Sequence, residues 1–257
     1  MTTAKQISQF LNQIAPFDTA MDFDNVGLLV GDPEAEVASV LVSLDITSQV
    51  VAEAIQMGAQ LILSHHPVIF TPIKKLRPKD IPTQLIQNNL TAICAHTNLD
   101  LAPCGVNASL ASALELQNCT PFKKYRDTDL AEGLLGTLLS PLSPQGFAAY
   151  VKERLHCDGV KYTVGNREIK TVGVSCGAGS GLLFDAAGCG VDAFVTGDSK
   201  HHELLAAQEM GITMVDAGHF NTEDVVIRPL IQLLQKEFPK VLFQKSSQTD
   251  PVCYLTE

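Results

Sequence analysis

Histidines and carboxylates stand directly after short apolar segments at four places in this sequence, and these residues are the best suited to chemistry. The four motifs are SHHP at 64–67, HTNLD at 96–100, TGD at 196–198 and GHFNTE at 218–223. Each apolar segment has the length of a buried β-strand, and ligands of open parallel sheets bind beyond the carboxyl ends of the strands. We therefore expect the four motifs at one rim of a sheet.

The residue types at this rim predict a metal site. Imidazoles and carboxylates without thiolates suit Zn, Mn or Fe. Three or more imidazoles together with Asp100 and Glu223 are enough for two ions, with one carboxylate bridging them. A pair of ions of this kind can activate a water molecule as a nucleophile.

Each motif also has a simpler interpretation. A single histidine at a strand end is usually a satisfied polar residue, which is our interpretation of His156. Asp100 and Glu223 could only cap the helices that follow them, and His201 and His202 could be exposed at the start of a helix. The arrival of several motifs at the same rim favours the metal site.

The elements that must position these motifs alternate between strands and helices. Apolar strands are predicted at Val40–Asp45, Leu61–Ser64 and Thr91–His96, with a helix that Thr47 caps and that runs to about Gly58. The same order returns in TVGVSC, AFVTGD and ITMVDAGH, and LFQK is expected to form a last strand. The region from Pro121 to about Lys170 is less regular, with EGLLGTLL predicted as a strand or hairpin. Continuous apolar strands between helices predict an α/β fold with mainly parallel, helix-covered sheets.

The two halves of the chain resemble one unit used twice. Val40 aligns with Val172 and Gly58 with Gly190, and after one gap His96 aligns with His219, so that HTNLD matches HFNTE. We therefore predict two similar βαβ-type lobes, residues 1–125 and 126–257, which together form one compact unit.

Composition limits the class of protein. The 18 Lys and Arg residues against 28 Asp and Glu residues give a net charge of −10, which disfavours a nucleic-acid partner. The compact basic cluster of Lys74, Lys75, Arg77 and Lys79 is best interpreted as a solvated loop. No apolar run approaches the ~20 residues of a membrane helix, and the first residues do not have the pattern of a signal peptide. Seven cysteines without a C-x-x-C pair suit a cytoplasmic protein with reduced thiols.

Other catalytic signatures are weaker. The sequence has no G-x-S-x-G elbow and no Walker loop. CGAGSG at 176–181 follows a predicted strand and could hold a phosphate, but a tight turn between strand and helix explains it better.

With DNVGLLVGD at 24–32 and SHHPVIF at 64–70, the motifs resemble the NIF-three-like family, whose members are often called GTP cyclohydrolase 1 type 2 homologues. The resemblance runs in order over nearly the whole chain. It implies two intertwined lobes, a dinuclear metal site between them and a toroidal hexamer. The family's metal ligands then fall on His65, His66, Asp100, His219 and Glu223. About 50 residues separate the repeats, so the chain resembles the short form of the family, without an inserted middle domain of about 100 residues.

The expected function is that of a metal-dependent hydrolase acting on a nucleotide or small phosphoester. Two divalent ions, Zn, Mn or Fe, would be the cofactors, and His96 and Asp198 would be catalytic groups beside them. The expected partners are other copies of the chain in a homohexamer and a small anionic substrate. The alternative is a metal-binding carrier or hexameric scaffold without catalysis.

Overall fold

The fold was analysed on a computed structural model, which describes residues 1–255. Within these residues the strands β1 to β11 are, in chain order, Gly27–Val30, Ser39–Ser43, Leu61–Ser64, Thr91–Cys94, Gln117–Lys124, Ala131–Leu142, Lys161–Tyr162, Ile169–Val174, Ala193–Thr196, Thr213–Asp216 and Leu242–Lys245. The helices α1 to α10 are Ala4–Ile14, Ser48–Met57, Ile81–Gln87, Thr97–Leu101, Val106–Ala113, Pro144–Arg154, Leu183–Gly188, His201–Glu209, His219–Glu223 and Ile227–Glu237. The predicted α/β class is confirmed.

The chain folds as two compact units. The first comprises Met1–Leu99 and Ile227–Thr249, and the second comprises Asp100–Val226 with the residues from Asp250. This division differs from the predicted boundary between residues 125 and 126, for two physical reasons. Strand β5 belongs to the sheet of the second unit, and the C-terminal α10 and β11 return to the first unit, where β11 pairs with β2.

The sheet of the first unit has the strand order β1-β4-β3-β2-β11. Strands β4, β3, β2 and β11 are parallel, and β1 joins β4 in antiparallel orientation. Strands β2, β3 and β4 are buried along their whole lengths, as the continuous apolar segments predict. The cap of α2 is also as predicted, since the Thr47 side chain accepts from the Val50 amide and Gly58 ends the helix in the left-handed conformation.

The sheet of the second unit has the order β5-β6-β8-β9-β10-β7. Its parallel part is β8, β9 and β10, and β5, β6 and β7 are antiparallel additions. EGLLGTLL lies within the single strand β6, which is the first of the two predicted alternatives, and β6 pairs with β5 in antiparallel orientation. Strand β5 itself was not predicted, because it lies at the edge and is largely exposed, so it lacks a buried apolar run.

The segment from Thr222 to Phe238 does not form one continuous helix. The structure divides this segment into α9, a 3₁₀ turn at Asp224–Val226 and α10. Pro229 lies in the first turn of α10, where its missing N–H is tolerated, whereas in the middle of one long helix it would remove a hydrogen bond. None of the helices in residues 1–255 is both long and apolar enough to cross a bilayer.

The two parallel strand trios share one register, which supports the internal repeat. Leu61 of β3 pairs with Thr91 of β4, and Ala193 of β9 pairs in the same way with Thr213 of β10. The sequence offset between Leu61 and Ala193 is the one that aligns Val40 with Val172. The trios therefore match strand by strand.

The predicted equivalence of His96 and His219 is wrong by one position. His96 follows Cys94, the last residue of β4, by two residues, whereas His219 follows Asp216, the last residue of β10, by three. The additional residue is Gly218, with a φ of +83°, a conformation that glycine adopts without strain. Motif similarity alone aligned the two histidines, whereas the hydrogen-bonded ladders define the true register.

Candidate metal centre

The four motifs lie beyond the carboxyl ends of parallel strands, but at the rims of two sheets rather than one. SHHP and HTNLD follow β3 and β4 of the first unit, and TGD and GHFNTE follow β9 and β10 of the second. Each unit therefore carries its own set of possible donors.

The first unit brings His65, His66 and His96 together. One ring nitrogen of each lies within 4.8 Å of the other two, and the ring centroids are 5.0–5.4 Å apart. The backbone leaves strand geometry in a bend at His65 and His66, directly after β3. Both neighbouring rings can then serve one cluster.

His65 is held by the backbone. Its side chain is buried, and Nδ1 lies 2.9 Å from the Ala95 carbonyl oxygen. A carbonyl oxygen only accepts, so Nδ1 carries the proton, and in the neutral ring Nε2 keeps its lone pair. This is the tautomer that a metal-binding histidine requires.

His66 is held by a carboxylate. Nδ1 lies 2.7 Å from Asp45 Oδ1, and Gln248 Nε2 donates to Asp45 Oδ2 at 2.8 Å. The Asp45 amide in turn donates to Gln248 Oε1 at 3.0 Å. The Gln248–Asp45–His66 chain therefore fixes the orientation of the imidazole ring from behind.

His96 has a similar arrangement with Asp24, whose side chain is fully buried. His96 Nδ1 lies 2.8 Å from Asp24 Oδ1, and this carboxylate also accepts from the Thr97 amide and hydroxyl and from the Asn25 amide. Burial alone would raise the pKa of Asp24, but the His96 and Thr97 hydrogen bonds hold it well below its usual range. Asp24 therefore stays ionised behind the imidazole.

Asp24 and Asp45 are site residues that sequence reasoning did not identify. They lie 72 and 21 residues before the histidines that they hold, so no local spacing connects them. The available signals were indirect, since Asp24 begins the DNVGLLVGD motif and Asp45 ends a predicted strand.

In the second unit, His219 lies between two carboxylates. Nδ1 is 2.6 Å from Asp198 Oδ2, and Nε2 is 3.0 Å from Oε2 of the buried Glu223, one turn along α9. Burial lowers the pKa of His219, but the hydrogen bonds and charges of Glu223 and Asp198 outweigh it and raise the pKa to about 9.

Asp100 is the third donor of this unit. One of its oxygens lies within 4.8 Å of a Glu223 oxygen. Oδ1 accepts from the buried Cys176 thiol at 3.3 Å, and Asn107 holds both residues by donating to the Asp100 carbonyl and accepting from the Cys176 amide. Burial, with the Asp100 and Glu223 charges, raises the pKa of Cys176 well above its ordinary value, so this sulfur remains a thiol donor.

Two glycines make room for the second donor set. A Cβ on Gly177, which has a φ of +51°, would overlap Glu223 Oε1, and a Cβ on Gly197 would lie 2.8 Å from the His219 amide nitrogen. The Gly177 amide donates to Thr222 Oγ1 at 3.1 Å. The glycine-rich turn therefore packs against α9, and this role favours the tight-turn interpretation of CGAGSG over phosphate binding.

The remaining histidines lie on the surface. His201 and His202 are exposed at the start of α8, and His156 is exposed with a φ of +55° after α6. His201 and His202 thus agree with their simpler interpretation as surface residues, whereas His156 follows a helix and not the end of a strand.

The donor sets fit a divalent transition metal. The first set consists of imidazole nitrogens and the second of one imidazole and two carboxylates. His65, His66 and His219 each have an oxygen acceptor at Nδ1. Acceptors of this kind are the usual partners that orient metal-binding histidines and raise their basicity. The residues present therefore suit the Zn, Mn or Fe that the residue types predict.

Fold and site together define a class of two-unit α/β proteins with clustered histidines and carboxylates. The sequence profile of the Duf34/NIF3 (NGG1p interacting factor 3) family matches residues 2–251, so the chain belongs to this family.

Relatives at moderate identity carry a common name. A GTP cyclohydrolase 1 type 2 homolog of Clostridium perfringens is 33% identical over 228 residues, which cover 84% of this chain and 85% of the relative. A homolog of the same name from Staphylococcus aureus is 28% identical over 336 aligned positions, covering 89% of this chain and 92% of the relative. Because 336 exceeds the 257 residues of this chain, that relative contains residues that the short form lacks.

The fold is also found in a solved structure. The crystal structure of a hypothetical protein of Staphylococcus aureus matches with a TM-score of 0.93 at 31% identity, covering 98% of this chain and 99% of the other. This similarity extends over both units of the chain.

Proposed function

We propose that the protein binds two divalent transition-metal ions through His65, His66, Asp100, His219 and Glu223. The observation that carries the proposal is the oxygen acceptor at Nδ1 of each of these three histidines. At His65 and His66 such an acceptor selects the tautomer that leaves Nε2 for a metal. His219 Nε2 lies 3.0 Å from Glu223 Oε2, where a metal ion would take the place of the proton. Membership of the family, whose resemblance implies these five ligands, supports the same assignment.

Glu223 is the bridging ligand of this proposal. With one shared carboxylate, the five side chains supply three protein donors to each ion, the number typical of catalytic sites that keep a position open. Glu223 is buried and packed against Gly177, so its carboxylate is held in place by the fold. We expect its removal to affect both ions.

The activity that we propose is hydrolysis of a nucleotide or small phosphoester. Bound ions of this kind lower the pKa of a coordinated water toward neutrality and stabilise charge on attacking and leaving groups. His96 is the proton-handling group, because Asp24 fixes its ring beside the other histidines and it is not needed to complete the set of five. Asp198, expected from the sequence to be catalytic, acts here through His219, which it orients at Nδ1.

Charge limits the substrate to a small anion. The chain carries a net charge of −10, which repels a long polyanion more than it repels a nucleotide. The names of the curated relatives make GTP the first nucleotide to test.

Elemental analysis tests the metal site, and turnover assays test the reaction. Chelator-free protein saturated with Zn, Mn or Fe should hold close to two ions per chain and hydrolyse GTP or a member of a phosphoester panel. A count consistently below one would contradict the dinuclear site. Two tightly bound ions without turnover in any metal form would favour the carrier or scaffold function over the hydrolase.

We also propose that the protein is a cytoplasmic homohexamer, as the family resemblance and the cysteine content imply. Light scattering should then give the mass of six chains, unchanged on dilution through the micromolar range. A monomer at every concentration would contradict the closed oligomer and would leave the metal assignment standing.

A further inference from the structure

A cavity of about 400 Å³ lies beside Asp100 in the second unit. Helix α5 forms one side through Ala108 and Ala111, and the β6 strand forms another through Ala131 and Leu134. Its volume lies within the range of about 300–1,000 Å³ that is usual for small-molecule pockets. The cavity therefore has the size of a ligand site, and one end of it carries a proposed metal ligand.

The walls are lined by small aliphatic side chains. Ala108 and Ala111 are three residues apart on α5 and so lie on the same face of the helix. Their methyl groups leave space that larger side chains would fill. Ser112 and Cys119 add polar atoms to the lining. Apolar walls with a few polar groups are typical of pockets that bury most of a small molecule and fix its orientation.

The cavity is unsuited to a phosphate group. None of its lining residues, all of which lie within the described part of the chain, is a lysine, arginine or histidine, and Asp100 contributes a carboxylate. Asp129 also borders it, but this side chain is 98% exposed and pairs with Lys124 at 2.7 Å, so both charges lie in solvent. A phosphate inside the cavity would therefore find no cationic side chain in the lining to compensate its charge.

The wall near Asp100 is also rigid. Asn107 donates to the carbonyls of Asp100, Ala131 and Glu132 and accepts from the Cys176 amide. These bonds use both the N–H donors and the oxygen acceptor of the Asn107 side chain. Asn107 therefore joins α5 to β6 and to Asp100. A ligand in the cavity would therefore find a preformed site.

We propose that this cavity binds an uncharged, planar aromatic ring of the substrate and directs the reacting group toward Asp100. The inference rests on the proposed function, because Asp100 is one of the five metal ligands. It assigns the ring to the cavity and leaves the anionic groups of the substrate to the metal ions.

The test is a cavity-filling substitution with two separate probes. Ala108→Leu fills the space from a half-buried position, and Ala113→Leu is the matched control on the same helix, outside the cavity lining. Purine and inorganic phosphate are titrated into the metal-loaded proteins by ligand-observed NMR. We expect Ala108→Leu to weaken purine binding at least about tenfold, the effect of losing ~1.4 kcal/mol, while phosphate binding and Ala113→Leu remain as in wild type.

Unchanged purine binding in Ala108→Leu, or no purine binding by the wild type, would overturn the inference. The metal count of the same samples separates this failure from that of the proposed function. If Ala108→Leu keeps two ions and binds purine as the wild type does, only the cavity assignment is contradicted. If the wild type holds no ions but Ala108→Leu still abolishes purine binding, only the metal site is contradicted. If circular dichroism shows Ala108→Leu to be unfolded, Ser112→Leu at the exposed edge of the cavity gives the same comparison.

Discussion

Each of the two units builds its donor set on a trio of parallel strands, and the two trios have the same register. The two donor sets differ in how their charges are distributed. In the first unit, three imidazoles cluster, and the carboxylates Asp24 and Asp45 lie behind them at Nδ1. In the second unit, the single imidazole of His219 has a carboxylate at each nitrogen. The first set therefore offers neutral nitrogen donors, and the second set offers the negative charge that a pair of divalent cations needs.

This difference teaches that a repeated fold does not require a repeated site. The strand registers match residue for residue, yet Gly218 adds one position before His219. His219 consequently begins α9, whereas His96 precedes α4. The two rims also differ in residue type, since His65 and His66 follow β3 whereas Gly197 and Asp198 follow β9.

The largest expected effect comes from removing the charge of the second set. Glu223→Ala should lose both ions, from about two per chain to nearly none, because a bridging ligand serves both. His66→Ala, in the first set, should lose one. Elemental analysis after gel filtration measures the difference, with Asp224→Ala as the control for a neighbouring carboxylate. A Glu223→Ala protein that still binds two ions with near wild-type affinity would show that the assignment of the bridge is wrong.

His96→Ala tests whether the three histidines of the first unit have one role or two. We expect both ions to remain and turnover to fall by about 10²–10⁴-fold, the usual contribution of general acid–base catalysis. The measurement pairs a metal count with kcat on the substrate that the wild type hydrolyses. The exposed His202→Ala is the matched control. Loss of an ion from His96→Ala would make His96 a ligand and remove its separate role.

Asp45→Asn and Asp198→Asn compare the groups behind one histidine of each unit. Both should weaken metal affinity by about 10–100-fold without lowering the count at saturation, because an amide orients the imidazole less well than a carboxylate. Competition with a chelator gives the affinities. The control is Asp185→Asn, which removes a surface partner of Lys123 and should leave the metal affinity unchanged. Equal affinities in all four proteins would mean that the Nδ1 contacts do not support metal binding.

The last expected effect is a pH dependence specific to the second unit. The folded-state pKa of His219 is raised to about 9, above the ~6.5 of an unfolded histidine, so its contribution to stability is present below pH ~6.5 and is lost as the pH rises through about 9. A metal ion must displace this proton, so affinity should fall about tenfold per pH unit below 9. NMR titration of the metal-free protein measures the pKa, and Glu223→Gln should lower it. A titration midpoint of His219 near pH 6.5 would contradict the prediction that metal binding releases a proton from this residue.

Much of this arrangement is predictable from the sequence because strand ends are local features. The apolar runs before His65 and His96 place both histidines just beyond buried strands, as found. Asp24 and Asp45 could not be found in this way. They are distant in sequence from the histidines that they hold, and only the folding of the chain brings each pair together. The edge strand β5 is largely exposed, so its sequence shows no pattern of buried apolar residues. The one-residue shift at Gly218 is visible only in the backbone hydrogen bonds between strands, which a motif alignment does not contain.

The most direct test of the central claim is anomalous diffraction from crystals of the metal-loaded protein, collected at the absorption edge of the added ion. We expect two anomalous peaks per chain, both within bonding distance of Glu223, with His65, His66, Asp100 and His219 as the remaining protein ligands. A single peak, or peaks that contact other residues, would contradict the central claim.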